Sequence, residues 1–303
     1  MTGITLLDGG LGQEINKRSK NDTHPLWSLK VMFDTPEVVI DVHKDFIAAG
    51  AKVICLNTYT ATPTRMTRDG YGERFEEAHS TAIQLAKQAI EESAQNETPV
   101  QIAGCLPPLV ASYKSEVHKS HDASLTEYRQ IVNLQKEFVD VFFIETMSNI
   151  EEACAAIDAV KETTVPVYVG LTLSDDLSDT LRSGESLENT LAAIASKKPN
   201  GIMLNCSIPE AITKAMPKLA AAGIKFGGYA NGFTSIEKLM PGGMVDTLEA
   251  RADLSPEAYA SFALQWVEAG ATIVGGCCEV GPDHIKHLAS KLAEQGHVVT
   301  NFN

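Results

Sequence analysis

Apolar residues fall into short runs that alternate with longer stretches of helical spacing. The runs are ITLLDGG (4–10), KVICLNTY (52–59), VQIAGCLP (100–107), VFFIETM (141–147), VPVYVGLTL (165–173), NGIMLNCS (200–207), IKFGGYANG (224–232) and TIVGGCCEV (272–280). Each is short and rich in Val, Ile or aromatic residues, which reads as a strand. Between them lie amphipathic segments at 36–51, 73–93, 125–139, 149–163, 186–197, 209–223, 255–270 and 281–295. Several carry their own punctuation: Ser255 then Pro256 forms a cap with a first-turn proline, and Gly50, Gly223 and Gly270 stand where C-terminal glycines belong.

Runs such as VFFI and TIVGG are apolar without alternation, as strands buried on both faces are, and strand-helix alternation implies a parallel sheet. Eight such units close naturally into a single-domain (β/α)8 TIM barrel spanning 1–303, a fold of about 250 residues before insertions. An open doubly wound sheet is the competitor. DGGLGQE after the first strand lacks the G-x-G-x-x-G spacing of a dinucleotide fold, which favours closure. The surplus length is assigned to loops at 11–35, 106–124 and 233–254, all after strand C-terminal ends, and residues 296–303 read as a loose tail.

Composition narrows the chemistry. A net charge of −14, from 25 basic and 39 acidic side chains, argues against nucleic acid or an anionic membrane as partner and favours small-molecule substrates. With no secretory signal and no long apolar span, a cytoplasmic location is expected. The six cysteines (55, 105, 154, 206, 277 and 278) are too sparse for a disulfide framework and are read as thiols or metal ligands.

Barrel strands converge at one mouth, so residues at their ends become neighbours. Here these are Asp8, Asn57 and Thr58, Glu145, Asn205 and Cys206, Asn231, and Cys277 with Cys278. Three thiolates with one open position make a catalytic type of zinc site. Adjacent strand residues point to opposite faces, so Cys277 and Cys278 can share an ion only if extension stops there, which Gly275, Gly276 and Pro282 permit. Core packing is the alternative for every cysteine and the assignment made for Cys55, Cys105 and Cys154. Glu145 ends an apolar run and needs either a substrate ammonium or a structural cation. Asp8 either caps the Gly9-Gly10 turn or touches substrate. The pairs His118/His121 and His284/His287 are assigned to solvated faces, no third ligand being near.

Taken together, LLDGGLGQEI, HPLWSLK (24–30), NTYTATP (57–63), IET (144–146), LNCS (204–207) and GGCC (275–278) resemble, in order and over nearly the whole chain, the homocysteine S-methyltransferase family of zinc-dependent (β/α)8 barrels. The resemblance implies an enzyme of the methyltransferase class (EC 2.1.1) in methionine biosynthesis. Cys206, Cys277 and Cys278 would bind Zn2+, with the homocysteine thiol as fourth ligand. Asp8, Gly9, Gly10, Glu145 and Asn205 would bind homocysteine; Trp27, Asn57, Thr58, Tyr59 and Asn231 would face a cationic methyl donor, aromatic rings being attractive to such groups. No further catalytic residue is implied beyond the activated substrate thiolate.

The length resembles stand-alone members that use S-methylmethionine or S-adenosylmethionine. The chain departs from their usual motifs at GCLPP (104–108), KSEV (114–117) and YANGF (229–233), around the donor side. Betaine or dimethylsulfoniopropionate as donor, a non-catalytic zinc- or thiol-binding barrel, and a metal-free redox thiol are therefore carried as alternatives.

Overall fold

In the computed structural model, residues 3–19, 23–93, 99–243 and 247–302 are described. The strands are β1 (Gly3–Leu6), β2 (Val53–Cys55), β3 (Gln101–Leu106), β4 (Val141–Met147), β5 (Val167–Leu171), β6 (Gly201–Asn205), β7 (Phe226–Tyr229), β8 (Ile273–Val274) and β9 (Val298–Thr300). They pair in parallel in the order β2-β3-β4-β5-β6-β7-β8-β1-β9. A parallel bridge from Leu7 to Val53 returns the end of β1 to β2. The Lys52 N–H donates to the Leu6 carbonyl at 2.8 Å and the Asp8 N–H to the Val53 carbonyl at 3.0 Å. These contacts close the sheet into the expected single-domain (β/α)8 barrel.

The period-two alternation of β4 shows how the sequence sorts its two faces. Val141, Phe143 and Glu145 point into the barrel, while Phe142 and Ile144 belong to the larger apolar layer beneath the helices. Both faces are apolar, so the strand reads as one hydrophobic run with a carboxylate at its end. The interior is filled by Leu7, Val53, Ala103, Phe143, Met203 and Ile273, among others, a packed core rather than a channel.

The outer helices are α1 (Leu11–Arg18), α2 (Ser28–Asp34), α3 (Pro36–Ala48), α4 (Pro63–Arg68), α5 (Phe75–Glu92), α6 (His121–Gln135), α7 (Ile150–Val160), α8 (Leu187–Ser196), α9 (Pro209–Ala221), α10 (Pro256–Glu268) and α11 (Pro282–Glu294). Side-chain caps from Asn149, Ser186 and Ser255 accept the N–H three residues on, fixing the starts of α7, α8 and α10. No helix among the described residues is long and apolar enough to cross a membrane.

Three sequence expectations change. The segment 11–35, read as loop, contains α1 and α2, whose short apolar stripes (Leu11 with Ile15, Leu29 with Met32) are buried against the barrel. Two turns of helix are too few for a periodic signal to stand out, and α4 escaped for the same reason. Helix α6 starts four residues earlier than its expected position, at His121. Residues 20–22 and 244–246 of the loops lie outside the described residues.

The third change is the tail. Instead of lying loose, Val298–Thr300 pairs with Gly3–Thr5 as β9. The Gln101 side chain, at the start of β3, binds both backbone groups of Phe302: Nε2 donates to its carbonyl at 3.0 Å, and Oε1 accepts its N–H at 2.8 Å. The Phe302 ring stacks on Tyr168 at 4.3 Å and meets Phe143 edge-on at 5.8 Å, plugging the end of the barrel where strands begin. Asn303 lies outside the described residues.

Phe302→Ala should cost about 3 kcal/mol, as loss of a buried aromatic does, read as a lower midpoint in denaturant unfolding. An unchanged midpoint would show that the plug does not support the barrel.

Candidate functional site

The three cysteines of the GGCC and LNCS motifs meet at the mouth where strands end. Their sulfurs all lie within 4.8 Å of one another. β8 stops at Val274, and a turn in which the Val280 N–H donates to the Cys277 carbonyl at 3.1 Å replaces strand geometry. Both neighbouring side chains can therefore face one point. Cys206 leaves β6 with φ of 47°, which turns its side chain to the same place.

Glycines allow the approach. A Cβ on Gly10 would stand 2.6 Å from the Cys277 carbonyl, and one on Gly276 would stand 2.2 Å from Val280 Cγ1. The DGG motif of the first strand is thus built to let the double-cysteine turn lie against it.

Cys206 and Cys277 are joined as a disulfide with Cα atoms 5.6 Å apart, and Cys278 is a thiol beside them. Reduction of that bond frees three sulfurs in a space suited to one ion, since tetrahedral thiolates at about 2.3 Å from a metal stand roughly 3.8 Å apart. Tyr113, from the loop after β3, donates its hydroxyl to Cys206 Sγ at 3.2 Å. Phe233, Ile236, Leu239 and Leu248 pack with it over the sulfurs. Burial pushes the Cys278 thiol up to about 12, so without a cation this sulfur stays protonated.

Below the thiols lies a carboxylate floor. Glu145 Oε1 accepts the Tyr229 hydroxyl at 3.0 Å, and Oε2 accepts Cys105 Sγ–H at 3.1 Å and Cys55 Sγ–H at 3.7 Å. Asp8 Oδ2 accepts the Cys55 N–H at 2.9 Å, bracing β1 against β2. Burial raises the pKa of both carboxyls, and for Asp8 the charge of Glu145 raises it further. Neither has an ion-pair partner among the described residues, so the floor is a site poised for a cation. Cys55 and Cys105, assigned to inert core, instead line the cavity and donate to Glu145. Period two within β2 and β3 was the available signal: Cys55 follows inward Val53, and Cys105 follows inward Ala103.

Thiols and floor share one open-mouthed cavity. Trp27 and Tyr59 line it, with ring centroids 6.4 Å apart and edge-on. Trp27 Nε1 donates to Gln13 at 3.0 Å, and the Tyr59 hydroxyl meets Ser112 at 2.9 Å. Asn57 borders the cavity but spends its amide on Ser28, holding the first long connection in place.

Four expected contacts are not made directly. Asn205 is buried with both ends of its amide on Thr146, at 2.9 and 3.0 Å, so it positions the residue after Glu145. Thr58 is buried against Gln135, and Asn231 accepts the Phe233 N–H at 3.2 Å. The Gly10 N–H donates to the Val280 carbonyl at 2.9 Å and is not free for a substrate carboxylate. Strand ends converge as a set, but which end points inward depends on local twist.

Missed altogether were Tyr113, Tyr229 and Arg65, all lining the cavity. Their signal was weak because two come from irregular or single-turn segments. Of the paired histidines, His118 and His121 contact Glu151 and Asp158 at 3.0 and 3.1 Å, and His284 packs on Tyr259 and contacts the Leu254 carbonyl.

Residues 5–292 match the family model described as homocysteine S-methyltransferase. Homocysteine S-methyltransferase 1 of Zea mays is 25% identical over 97% of this chain and 96% of its own. The homocysteine S-methyltransferase of Escherichia coli (strain K12) is 29% identical over 95% of each chain. The crystal structure of the E. coli homocysteine methyltransferase superposes with TM-scores of 0.80 in its metallated form and 0.81 in its oxidised form, at 25% identity, covering 95% of this chain and 96% of that one.

Air-exposed, metal-free protein should release four thiols on unfolding, from the four free cysteines, and six after reduction; Cys206→Ala should give five without reductant. Six thiols before reduction would remove the Cys206–Cys277 bond.

Glu145→Gln should stabilise the ligand-free protein at neutral pH. A carboxyl whose folded pKa is raised contributes fully below its unfolded value, about 4.3, and that contribution is lost as pH rises through the folded value. The variant's thermal midpoint should therefore exceed the parent's at pH 7 to 8 and decline less between pH 4 and 8. Parallel pH profiles would show that Glu145 is not under strain.

Proposed function

The chain belongs to the homocysteine S-methyltransferase family, and we propose that it transfers a methyl group from a cationic donor to the thiolate of L-homocysteine, giving methionine. The observation that carries this is the meeting of Cys206, Cys277 and Cys278 above a cavity floored by the uncompensated carboxyls of Glu145 and Asp8. A sulfur-only donor set suits zinc, a borderline-soft ion, better than magnesium or calcium. When bound there, Zn2+ supplies the positive charge that keeps a substrate thiol ionised near neutral pH, where a free thiol with a pKa of about 8.5 is mostly protonated.

The chain's own residues supply binding and orientation. Glu145, with Asp8 behind it, receives the ammonium group of homocysteine; the arriving cation offsets the cost of ionising two neighbouring buried carboxyls. Tyr229, Cys55 and Cys105 hold the Glu145 carboxylate in one orientation through three hydrogen bonds. Asn205, through Thr146, fixes the backbone on its far side. The thiol of homocysteine is then directed toward the three cysteine sulfurs.

Trp27 and Tyr59 offer ring faces to an onium methyl donor, and Tyr113 with the apolar residues of the loop after β7 excludes water above it. Alignment of donor methyl and sulfur is the main catalytic contribution asked of the fold. S-methylmethionine or S-adenosylmethionine is the favoured donor, with betaine or dimethylsulfoniopropionate as alternatives. A reducing compartment such as the cytoplasm keeps the three thiols available.

Reduced protein should carry about one zinc per chain and lose it in Cys206→Ala, by elemental analysis. With homocysteine and the four donors, mass spectrometry should detect methionine from the parent and none from the variant. Stoichiometric zinc without methionine from any donor would leave a thiol-binding barrel; active protein free of zinc would leave a metal-free thiol enzyme.

A further inference from the structure

We infer that Arg65 is the group that receives the carboxylate of the methyl donor, an assignment that rests on the methyl-transfer reading above. Arg65 sits in the first turn of α4, where its N–H donates to the Thr62 side chain at 3.1 Å. Its side chain turns inward from there and is only 6% exposed. It lines the same cavity as the three thiols.

The guanidinium is incompletely used. Nη2 donates to the Pro108 carbonyl at 2.7 Å and reaches Ser112 at 3.4 Å, while Nε is buried with no partner. Arg65 forms no ion pair among the described residues. Glu152, whose charge it feels, is spent on the Leu109 N–H at 2.8 Å and the Tyr128 hydroxyl at 3.3 Å. Arg68 borders the cavity too, but it is paired with Asp69 at 2.7 Å.

Buried cations are almost always paired, so a buried guanidinium without a carboxylate points to an anion that arrives with a ligand. The planar fork suits a carboxylate. Burial also pulls the Arg65 pKa down, and the fields of Tyr59 and Glu152 do not reverse it.

Position then connects this anion site to the donor. Arg65 Cζ lies 5.4 Å from the centroid of the Tyr59 ring. A plain onium ion entering here meets a like charge. An onium carboxylate matches the pocket at both ends, with its cation at the aromatic rings of Trp27 and Tyr59 and its anion at Arg65.

The test is binding calorimetry on zinc-loaded protein, with S-methylmethionine and glycine betaine each compared with its own carboxamide. At least one acid should bind about 10- to 100-fold more tightly than its amide, the range for a charge-assisted hydrogen-bonded pair. That ratio should fall toward one in Arg65→Met and be partly kept in Arg65→Lys. The comparison of acid with amide on the parent protein needs no variant, so it decides the matter even if Arg65→Met fails to fold. Equal affinities on the parent, absence of binding by either acid, or a ratio that survives Arg65→Met would overturn the inference. Arg65-dependent binding without methionine formation would keep Arg65 as a carboxylate site and remove methyl transfer. Methionine formed equally from acid and amide would do the reverse.

Discussion

Closure of the parallel sheet is the constraint from which the site follows. Cys206 and Cys277 are separated by 71 residues, yet their Cα atoms stand 5.6 Å apart because β6, β7 and β8 are consecutive staves ending at one rim. The bridge from Leu7 to Val53 completes the ring, and it is at this seam that Asp8 is fixed to the Cys55 N–H. Opening the ring at this seam would part β1 from β2 and release Asp8 from Cys55, while the pairing of β1 with β8 holds the DGG turn against the double-cysteine turn. The hydrogen bonds that close the barrel also place Asp8.

Electrostatically, the cavity is held in a state that favours ligands over emptiness. Two carboxyls are buried together, the Cys278 thiol is pushed toward neutrality, and Arg65 lacks a counter-ion. The buried carboxyls and the guanidinium cost the folded protein stability, and that cost falls when an opposite charge arrives. On the proposed reading a metal ion answers the sulfurs, an ammonium answers Glu145, and an anion answers Arg65. On that reading affinity comes from relieving burial penalties. Such groups are expected where function sets the requirement rather than folding.

The molecule divides its labour along the barrel axis. At the end where strands begin, β9, Gln101 and Phe302 close the barrel by strand pairing and hydrogen bonds. At the end where strands finish, irregular backbone is frequent: Trp27, Tyr113, Thr146 and Cys206 all have positive φ without being glycine. Their backbone strain is balanced by hydrogen bonds such as those between Asn205 and Thr146, where the Thr146 N–H donates to Asn205 Oδ1 and Asn205 Nδ2 donates to the Thr146 hydroxyl. That network leaves Asn205, expected at the substrate, with its amide engaged on Thr146.

Eight short apolar runs alternating with amphipathic segments determined the barrel, because strands buried on both faces and helices buried on one leave different periodic traces. The same periodicity located the rim, and residue chemistry there marked Cys206, Cys277, Cys278, Glu145 and Asp8. Only the tertiary structure decided which rim side chains face the cavity and which brace it. It moved Asn205, Thr58 and Asn231 into the support, brought Cys55 and Cys105 onto Glu145, and drew Tyr113 and Arg65 in from segments with no periodic signature. It also turned an apparently loose tail into a ninth strand. Periodicity records burial along one element; direction at the end of a strand, and the reach of a loop, depend on contacts between residues far apart in the chain.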